Sequence, residues 1–356
     1  MAAKSVAEKW LIALTRLSTA SGLEQEVMRW VQAWAGRRPD LRLRQDSGGN
    51  LLITQRRRKT RAPVVAVAHM DHPGFVVTSV DGEEVSFEFR GGVRPEYFER
   101  ASVDFAAGGH GRVSSYDPTS HVGAIRMVGS PPAVGEIARW RFQHRKAPPG
   151  RLLAPACDDL AGCAAALAAL DRSRDRPGMG HFAVLLTRAE EMGFVGALHA
   201  AKEGTVDPDA RILSIETSRA SSKAPIGGGP VIRVGDAATV FDDDLTNRIS
   251  RAAAKLGIRH QRQLMAGGTC EATAFGVLGY RATGLCLALG NYHNQGDLDE
   301  VEAGSGKATP VMEEISLDDF HGLIDLLLIA ADAVDGDWDL PRRLDSVYAD
   351  GRHLLG

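Results

Sequence analysis

PVVAVAHMDHPGFVV, residues 63–77, joins two kinds of structure within fifteen residues. Val64 to Ala68 form an unbroken apolar run, which reads as a strand buried on both faces in the middle of a parallel or mixed sheet. His69 and Asp71 stand at its end, and Pro73 and Gly74 turn the chain away from it. Beyond this turn the chain changes character. From about Gly74 to Leu153, short β-like pieces (FVVTSV, VSFEFR, ASVDF, GAIRMV, IARWRF) alternate with clusters of Gly, Pro, Asp and Ser, with no helical period. This reads as a small all-β unit, a barrel, inserted behind the strand.

After Pro155 the pattern returns to alternation. An Ala-rich helix from Leu160 to Leu170 leads to the strand HFAVLLT, a helix around Val195 to Lys202 and the strand RILSIE. A helix near Asp243 to Lys255, a short helix after Gly267 and Gly268, the strand TGLCLAL and a last helix from Ser316 to Val334 complete the series. Upstream, two amphipathic helices (Val6 to Leu17, Leu23 to Trp34) precede the strand candidates LRLRQ and NLLIT, which the turn DSGGN separates. The expected fold class is α/β: three α/β/α layers with a mixed central sheet and an inserted small barrel-like all-β domain. The expected division places residues 1–73 and 154–356 in the α/β domain and 74–153 in the insertion.

Composition narrows the function. The chain has 356 residues and a formal net charge of −3, so it carries no strong field for nucleic acid or an anionic membrane. Cys157, Cys163, Cys270 and Cys286 form no CxxC pair, so neither a disulfide scaffold nor a thiolate zinc site is expected, and a reduced cytoplasmic compartment fits. The N-terminal stretch lacks an export signal, and Asp325 and Asp332 interrupt the most apolar late stretch, which reads as a core helix.

In α/β sheets chemistry gathers beyond the carboxyl ends of the strands. His69 and Asp71 follow VVAVA, Asp158 and Asp159 open a helix, and Glu190 and Glu191 follow FAVLLT. Glu216 ends RILSI, and His293 follows TGLCLAL in the stretch GNYHN. Taken singly, each has an ordinary structural reading: Asp158 as a helix N-cap, Glu190 and Glu191 as a solvated loop, Glu216 paired with Arg219. Two adjacent carboxylates after a buried strand repel one another, and metal cations offset that repulsion. Glu190 and Glu191 reach one site only where the strand has already ended and turned, and Met192 and Gly193 suit such a turn. One of the pair would then hold a metal and the other move protons.

The stretches AHMDHPGFVV, CDDLAGCAA, TRAEEMGFVGA, SIETS, GGTCEATAF and YHN, spread over nearly the whole chain, resemble the co-catalytic di-zinc peptidases. Within them they resemble the glutamyl-aminopeptidase or deblocking-aminopeptidase family, whose best-known members form tetrahedral particles. The β unit falls between His69 and Asp158, which favours this family over its carboxypeptidase and dipeptidase relatives. The resemblance implies a metal-dependent aminopeptidase acting on short peptides through a di-zinc-bound water. His69, Asp158 and Glu216 would hold one metal, and Asp158, Glu191 and His293 the other, with Asp158 as the bridge. Glu190 would be the general base, and Asp71 would fix the His69 imidazole. Zinc is the first choice of cofactor, with cobalt and manganese as alternatives. A homo-oligomer is implied too.

Two departures from the family pattern stand out. Glu216 occupies a position usually held by Asp, and the Gly-Gly-Thr-Asp element reads Gly267, Gly268, Thr269, Cys270, Glu271 here. Gly268, Thr269 and Glu271 are candidate substrate-binding residues, with Glu271 either a partner for the substrate amine or a helix-start residue suited to the dipole. The rival enzymatic reading is a di-metal deacylase, amidase or carboxypeptidase-like hydrolase on a blocked or non-peptide substrate. A non-catalytic binding protein would have lost a ligand or the base, yet all six candidates are acids or histidines. The stretch AGSGKAT (303–309) fails as a phosphate loop, because Val301 and Ala308 stand where Gly and Ser or Thr are required.

Overall fold

The computed structural model describes residues 2–57, 61–143, 145–335 and 340–355. Its centre is an eight-stranded sheet in the order Leu41–Gln45, Leu51–Gln55, Phe182–Thr187, Val64–His69, Arg211–Arg219, Arg281–Leu289, Val231–Gly235, Gln261–Leu264. The four middle strands, from Phe182–Thr187 to Arg281–Leu289, run parallel. Leu51–Gln55 and Val231–Gly235 flank them in antiparallel sense, so the sheet is mixed, as expected.

The unbroken apolar runs arise from helices on both faces. Val64, Ala66 and Ala68 pack into one cluster with the helices Ala2–Leu14, Gln25–Gly36, Leu160–Ser173, Asp243–Lys255 and Leu317–Ala333. Val65 and Val67 point the other way, toward Val195–Lys202 and Glu271–Val277. The period of two splits one apolar run between two cores. Leu160–Ser173 is buried along nearly its full length, and its alanines let the sheet, Ala2–Leu14 and Leu317–Ala333 pack closely on it.

Directly after Val64–His69, the chain enters a closed antiparallel barrel of six strands: Gly74–Asp81, Glu84–Arg90, Val122–Val128, His110–Asp117, Ser102–Phe105, Ile137–Trp140. Phe75 sits at its centre, with ring centroids 4.9 Å from Phe87, 4.9 Å from Phe89 and 4.6 Å from Trp140. Gly123 is required there, since a Cβ would collide with the Ser115 carbonyl oxygen and the Phe87 ring. The barrel is complete at Trp140, and Arg151–Ala154 already pairs with Glu313–Ser316, outside it. We therefore propose that the chain passes back into the α/β domain between Trp140 and Arg151 rather than at residue 153.

Two sequence expectations shift. Glu216 does not end its strand: Arg211–Arg219 continues three residues past it. The C-terminal stretch holds a further helix, Leu340–Gly351, with no buried residue. Among the described residues no helix is long and apolar enough to cross a membrane.

Candidate metal centre

The parallel strands deliver their polar ends to one place. His69 is the last residue of Val64–His69, and Glu216 projects from the neighbouring strand near its carboxyl end. Phe182–Thr187 stops at Thr187, and Ala189 adopts a left-handed backbone (φ 51°) that reverses the chain. This is how two adjacent glutamates reach one site: they lie in a turn, where the two-face rule of a strand no longer holds. Glu190 and Glu191 donate their backbone N–H groups to the two oxygens of Asp71, at 3.0 and 3.1 Å. Behind them Glu24 accepts from the Ala189 N–H at 3.1 Å and pairs with Arg188 at 2.6 Å.

Asp158 lies at the centre. Its Oδ1 is 3.3 Å from Nε2 of His69, and its Oδ2 is 3.4 Å from Nε2 of His293. His293 Nε2 also lies 3.1 Å from Glu191 Oε1. Three triplets have ligand atoms all within 4.8 Å of one another: His69, Asp158 and Glu216; Asp158, Glu191 and His293; and His69, Glu190 and Glu191. The N-cap reading of Asp158 is not what the structure has, because Asp159 occupies that position and makes no capping bond. Nor does Glu216 pair with Arg219, which instead binds Asp299 and Glu302.

Both imidazoles present Nε2 to the cluster because Nδ1 is engaged elsewhere. His69 Nδ1 donates to the Asp71 main-chain oxygen at 3.2 Å, with the Asp71 carboxylate 3.5 Å away. His293 Nδ1 donates to the Gly92 carbonyl at 2.6 Å, which ties this ring to the barrel excursion. Such outer contacts set the tautomer and orientation of ligating histidines.

The electrostatics fit a cation site. Burial disfavours charge on Asp158, but the facing imidazoles of His293 and His69 outweigh burial and hold its carboxyl below the usual carboxylate range. Burial would lower the imidazoles, yet the surrounding carboxylates, Glu190 foremost for His69 and Glu191 for His293, push both well above their ordinary value. Burial, reinforced by Asp158 and Glu271, raises Glu216 to about 8, and burial with neighbouring carboxylates raises Glu190 well above the usual range. Asp158 Oδ1, Glu191 Oε1 and Glu216 Oε1 are buried without a hydrogen-bond partner. Buried carboxylate oxygens that face imidazole nitrogens and lack donors are what divalent ions satisfy, so the donor set suits the implied metals.

The cluster opens into a cavity of about 910 Å³. Gly268 and Thr269 line it, whereas Glu271 does not: it opens the helix Glu271–Val277 with its side chain fully buried, and burial raises its carboxyl to about 7. Of the two readings of Glu271, the helix-start residue is the one its position matches. The structure also adds residues that the sequence did not point to. Glu313 accepts from the N–H groups of Cys157 (2.6 Å), Asp158 (3.1 Å) and His293 (2.9 Å), which ties two ligand loops together. His72 donates to the Asp158 carbonyl at 2.6 Å.

A family model for the M42 glutamyl aminopeptidases matches residues 133–302. No curated protein sequence matches. Among solved structures, an aminopeptidase from the archaeon Desulfurococcus kamchatkensis superposes with a TM-score of 0.76 at 20% identity, covering 94% of this chain and 96% of that one. A TET aminopeptidase from a marine sediment archaeon of the Thaumarchaeota gives 0.76 at 20% identity, over 94% and 98%. The TET1 peptidase of Pyrococcus horikoshii, which assembles into a tetrahedron or a large octahedral shell, gives 0.75 at 19% identity, over 91% and 99%. The fold neighbours share the architecture, and the family match coincides with the resemblance carried by the sequence stretches and supports a metal-dependent aminopeptidase, a hydrolase of peptide bonds.

The state of the imidazoles and the reach of Glu313 each lead to a measurement. Each imidazole must be neutral to ligate, and both hold their protons above the ordinary range, so metal affinity should rise with pH through neutrality with release of protons. Chelator competition at a series of pH values tests this, and a flat profile would contradict it. Glu313→Ala should weaken metal binding roughly 10- to 100-fold while the circular dichroism spectrum stays native. Unchanged metal affinity would remove Glu313 from the support of the centre.

Proposed function

We propose that this chain is an aminopeptidase that releases N-terminal residues from short peptides with two divalent ions, zinc first. His69, Asp158 and Glu216 would hold one ion, and Asp158, Glu191 and His293 the other. The observation that carries this reading is Asp158, whose two oxygens face different imidazoles at 3.3 and 3.4 Å, the arrangement of a bridging carboxylate. When bound, the ions polarise the scissile carbonyl and lower the pKa of water toward about 7.

The chain supplies the rest. Glu190 stands 3.9 Å from His69, and burial raises its carboxyl above the usual range, so its ionised form is the stronger base toward the attacking water. It then hands that proton to the nitrogen of the leaving amine. Asp71 keeps the pair Glu190 and Glu191 and the ring of His69 in mutual register: its carboxylate accepts from both glutamate N–H groups and from the Ser21 hydroxyl, and lies 3.5 Å from the His69 ring. The cavity of about 910 Å³ has room for a short peptide, with Gly268 and Thr269 in its wall. Glu271, out of reach of substrate, backs the cluster from within the core.

Peptides are the substrates in this reading, the protein works as a cytoplasmic homo-oligomer, and neither nucleic acid nor membrane is a partner. The assembly is supported by the Pyrococcus horikoshii neighbour, whose copies form closed shells. The net charge of −3 on this chain supports the absence of a polyanionic partner.

The test compares wild type with Glu190→Gln on free-amine and N-acetylated forms of one aminoacyl anilide. Wild type should cleave only the free amine. Glu190→Gln should lose at least about 100-fold in kcat, the scale of general-base catalysis, and still take up metal. Turnover of the acetylated form in preference would replace the aminopeptidase reading with a deacylase.

A further inference from the structure

Tyr292 immediately precedes His293, and its hydroxyl is not used by the fold. Its main-chain oxygen accepts from Gln295, but the hydroxyl has no hydrogen-bond partner among the described residues. Tyr97, Tyr116 and Tyr280, by contrast, each set their hydroxyl against a protein atom. Tyr292 is half-buried and lines the cavity that the metal-ligand cluster opens into. A tyrosine tip in such a wall normally finds a partner, so an unclaimed one is free to meet what enters the cavity.

The turn around it sets where that tip points. Consecutive Cα atoms stand about 3.8 Å apart. The ring centroids of Tyr292 and His293 are 3.7 Å apart, with the planes 22° from parallel, so the two side chains run side by side instead of diverging as strand neighbours do. His293 presents Nε2 to Asp158 at 3.4 Å and to Glu191 at 3.1 Å, and the longer tyrosine carries its hydroxyl past that ring on the cavity side of the same cluster. Asn291, His293 and Asn294 bracket Tyr292 in left-handed backbone (φ 56°, 53° and 63°), a region Asn and His tolerate better than most residues. The Asn291 side-chain amide donates to the Met312 carbonyl at 2.8 Å, that of Asn294 to the Pro155 carbonyl at 2.9 Å, and the His293 N–H to Glu313 at 2.9 Å. A sparsely populated backbone tied down on both sides holds the tyrosine ring in one place.

We propose that Tyr292 is a further catalytic residue of the hydrolysis, its O–H donating a hydrogen bond to the scissile carbonyl oxygen as that oxygen becomes an anion. This deepens the peptidase reading and rests on it. As the oxygen of the attacking water bonds to the carbonyl carbon, the π pair of the C=O moves onto the carbonyl oxygen, and Glu190 takes the proton that the water gives up. Tyr292 keeps its own proton throughout. The pair returns to re-form the C=O as the C–N bond breaks, and the nitrogen leaves with the proton from Glu190. A donor already fixed beside the developing charge needs no reorganisation at that moment, and a cavity shielded from water strengthens it. A phenol keeps its proton at neutral pH, and burial with the carboxylates of Glu191 and Asp158 disfavours its loss further.

Tyr292→Phe removes the hydroxyl and keeps the ring against His293. On the zinc-loaded full chain with leucyl anilide, kcat should fall at least about tenfold while KM stays within about twofold, because the bond forms only in the transition state. Leucine phosphonic acid, whose tetrahedral oxygens imitate that state, should bind at least about tenfold more weakly by calorimetry. Zinc content by elemental analysis should equal that of wild type. A wild-type kcat, a loss confined to KM, an unchanged phosphonate affinity or a loss of zinc would each overturn the inference. Wild type on the same anilide tests the peptidase reading separately. Should it leave the anilide intact, that reading fails and phosphonate binding still decides on Tyr292: about tenfold weaker binding by Tyr292→Phe supports the donor, and equal binding overturns it.

Discussion

Three carboxylates and two imidazoles crowd around Asp158 in the interior of this protein, and the mutual repulsion of the acids is the constraint the surrounding structure answers to. Each of Asp158, Glu190, Glu191 and Glu216 is largely removed from water, where an isolated carboxylate would take up a proton rather than stay charged. The imidazoles compensate in part, holding Asp158 ionised, but they leave Glu190 and Glu216 raised. Divalent ions complete the compensation in our reading, and Asp158, with an oxygen toward each imidazole, is the hinge on which both sites would turn.

Such a cluster would relax if it were held only by its own members. It is held instead by carboxylates that spend their hydrogen bonds on backbone. Asp71 fastens the Glu190 and Glu191 turn, Glu24 fastens the residue before it, and Glu313 joins the loops of Asp158 and His293. The barrel takes part as well. Gly92 orients the His293 ring, Arg94 N–H donates to Gln295 at 3.0 Å, and the Tyr97 hydroxyl donates to the Gly296 carbonyl at 2.6 Å. An insertion that begins five residues after His69 therefore returns to brace the last ligand in the chain. Fold and site are coupled through backbone groups, which explains why the support is spread across so many elements.

That distribution also explains what was legible in the sequence. The layered fold and the barrel could be read because strand and helix periods are local, and the runs 64–69 and 182–187 are buried on both faces. His69, Asp158, Glu190, Glu191 and His293 could be singled out because each falls just beyond a strand or at the start of a helix. Glu216 was placed at a strand end when it lies within one, since nothing in RILSIETSR marks the stop. Glu313 was invisible: its three partners are main-chain N–H groups, two of them in the segment around Cys157 and Asp158, far off along the chain, and side-chain pattern says nothing about those. For Glu271 the sequence left two readings open, and its place at the start of a buried helix turn, beside Gly268 and Thr269 in the cavity wall, matches the helix-start one.

The central claim is a pair of metal sites that share Asp158, and a crystal structure of the zinc-loaded protein with anomalous scattering at the zinc edge addresses it most directly. The expected result is two anomalous peaks on either side of the Asp158 carboxylate, one within about 2.0–2.2 Å of donors from His69 and Glu216 and the other of donors from Glu191 and His293. A single peak, or peaks that leave Asp158 unligated, would contradict it.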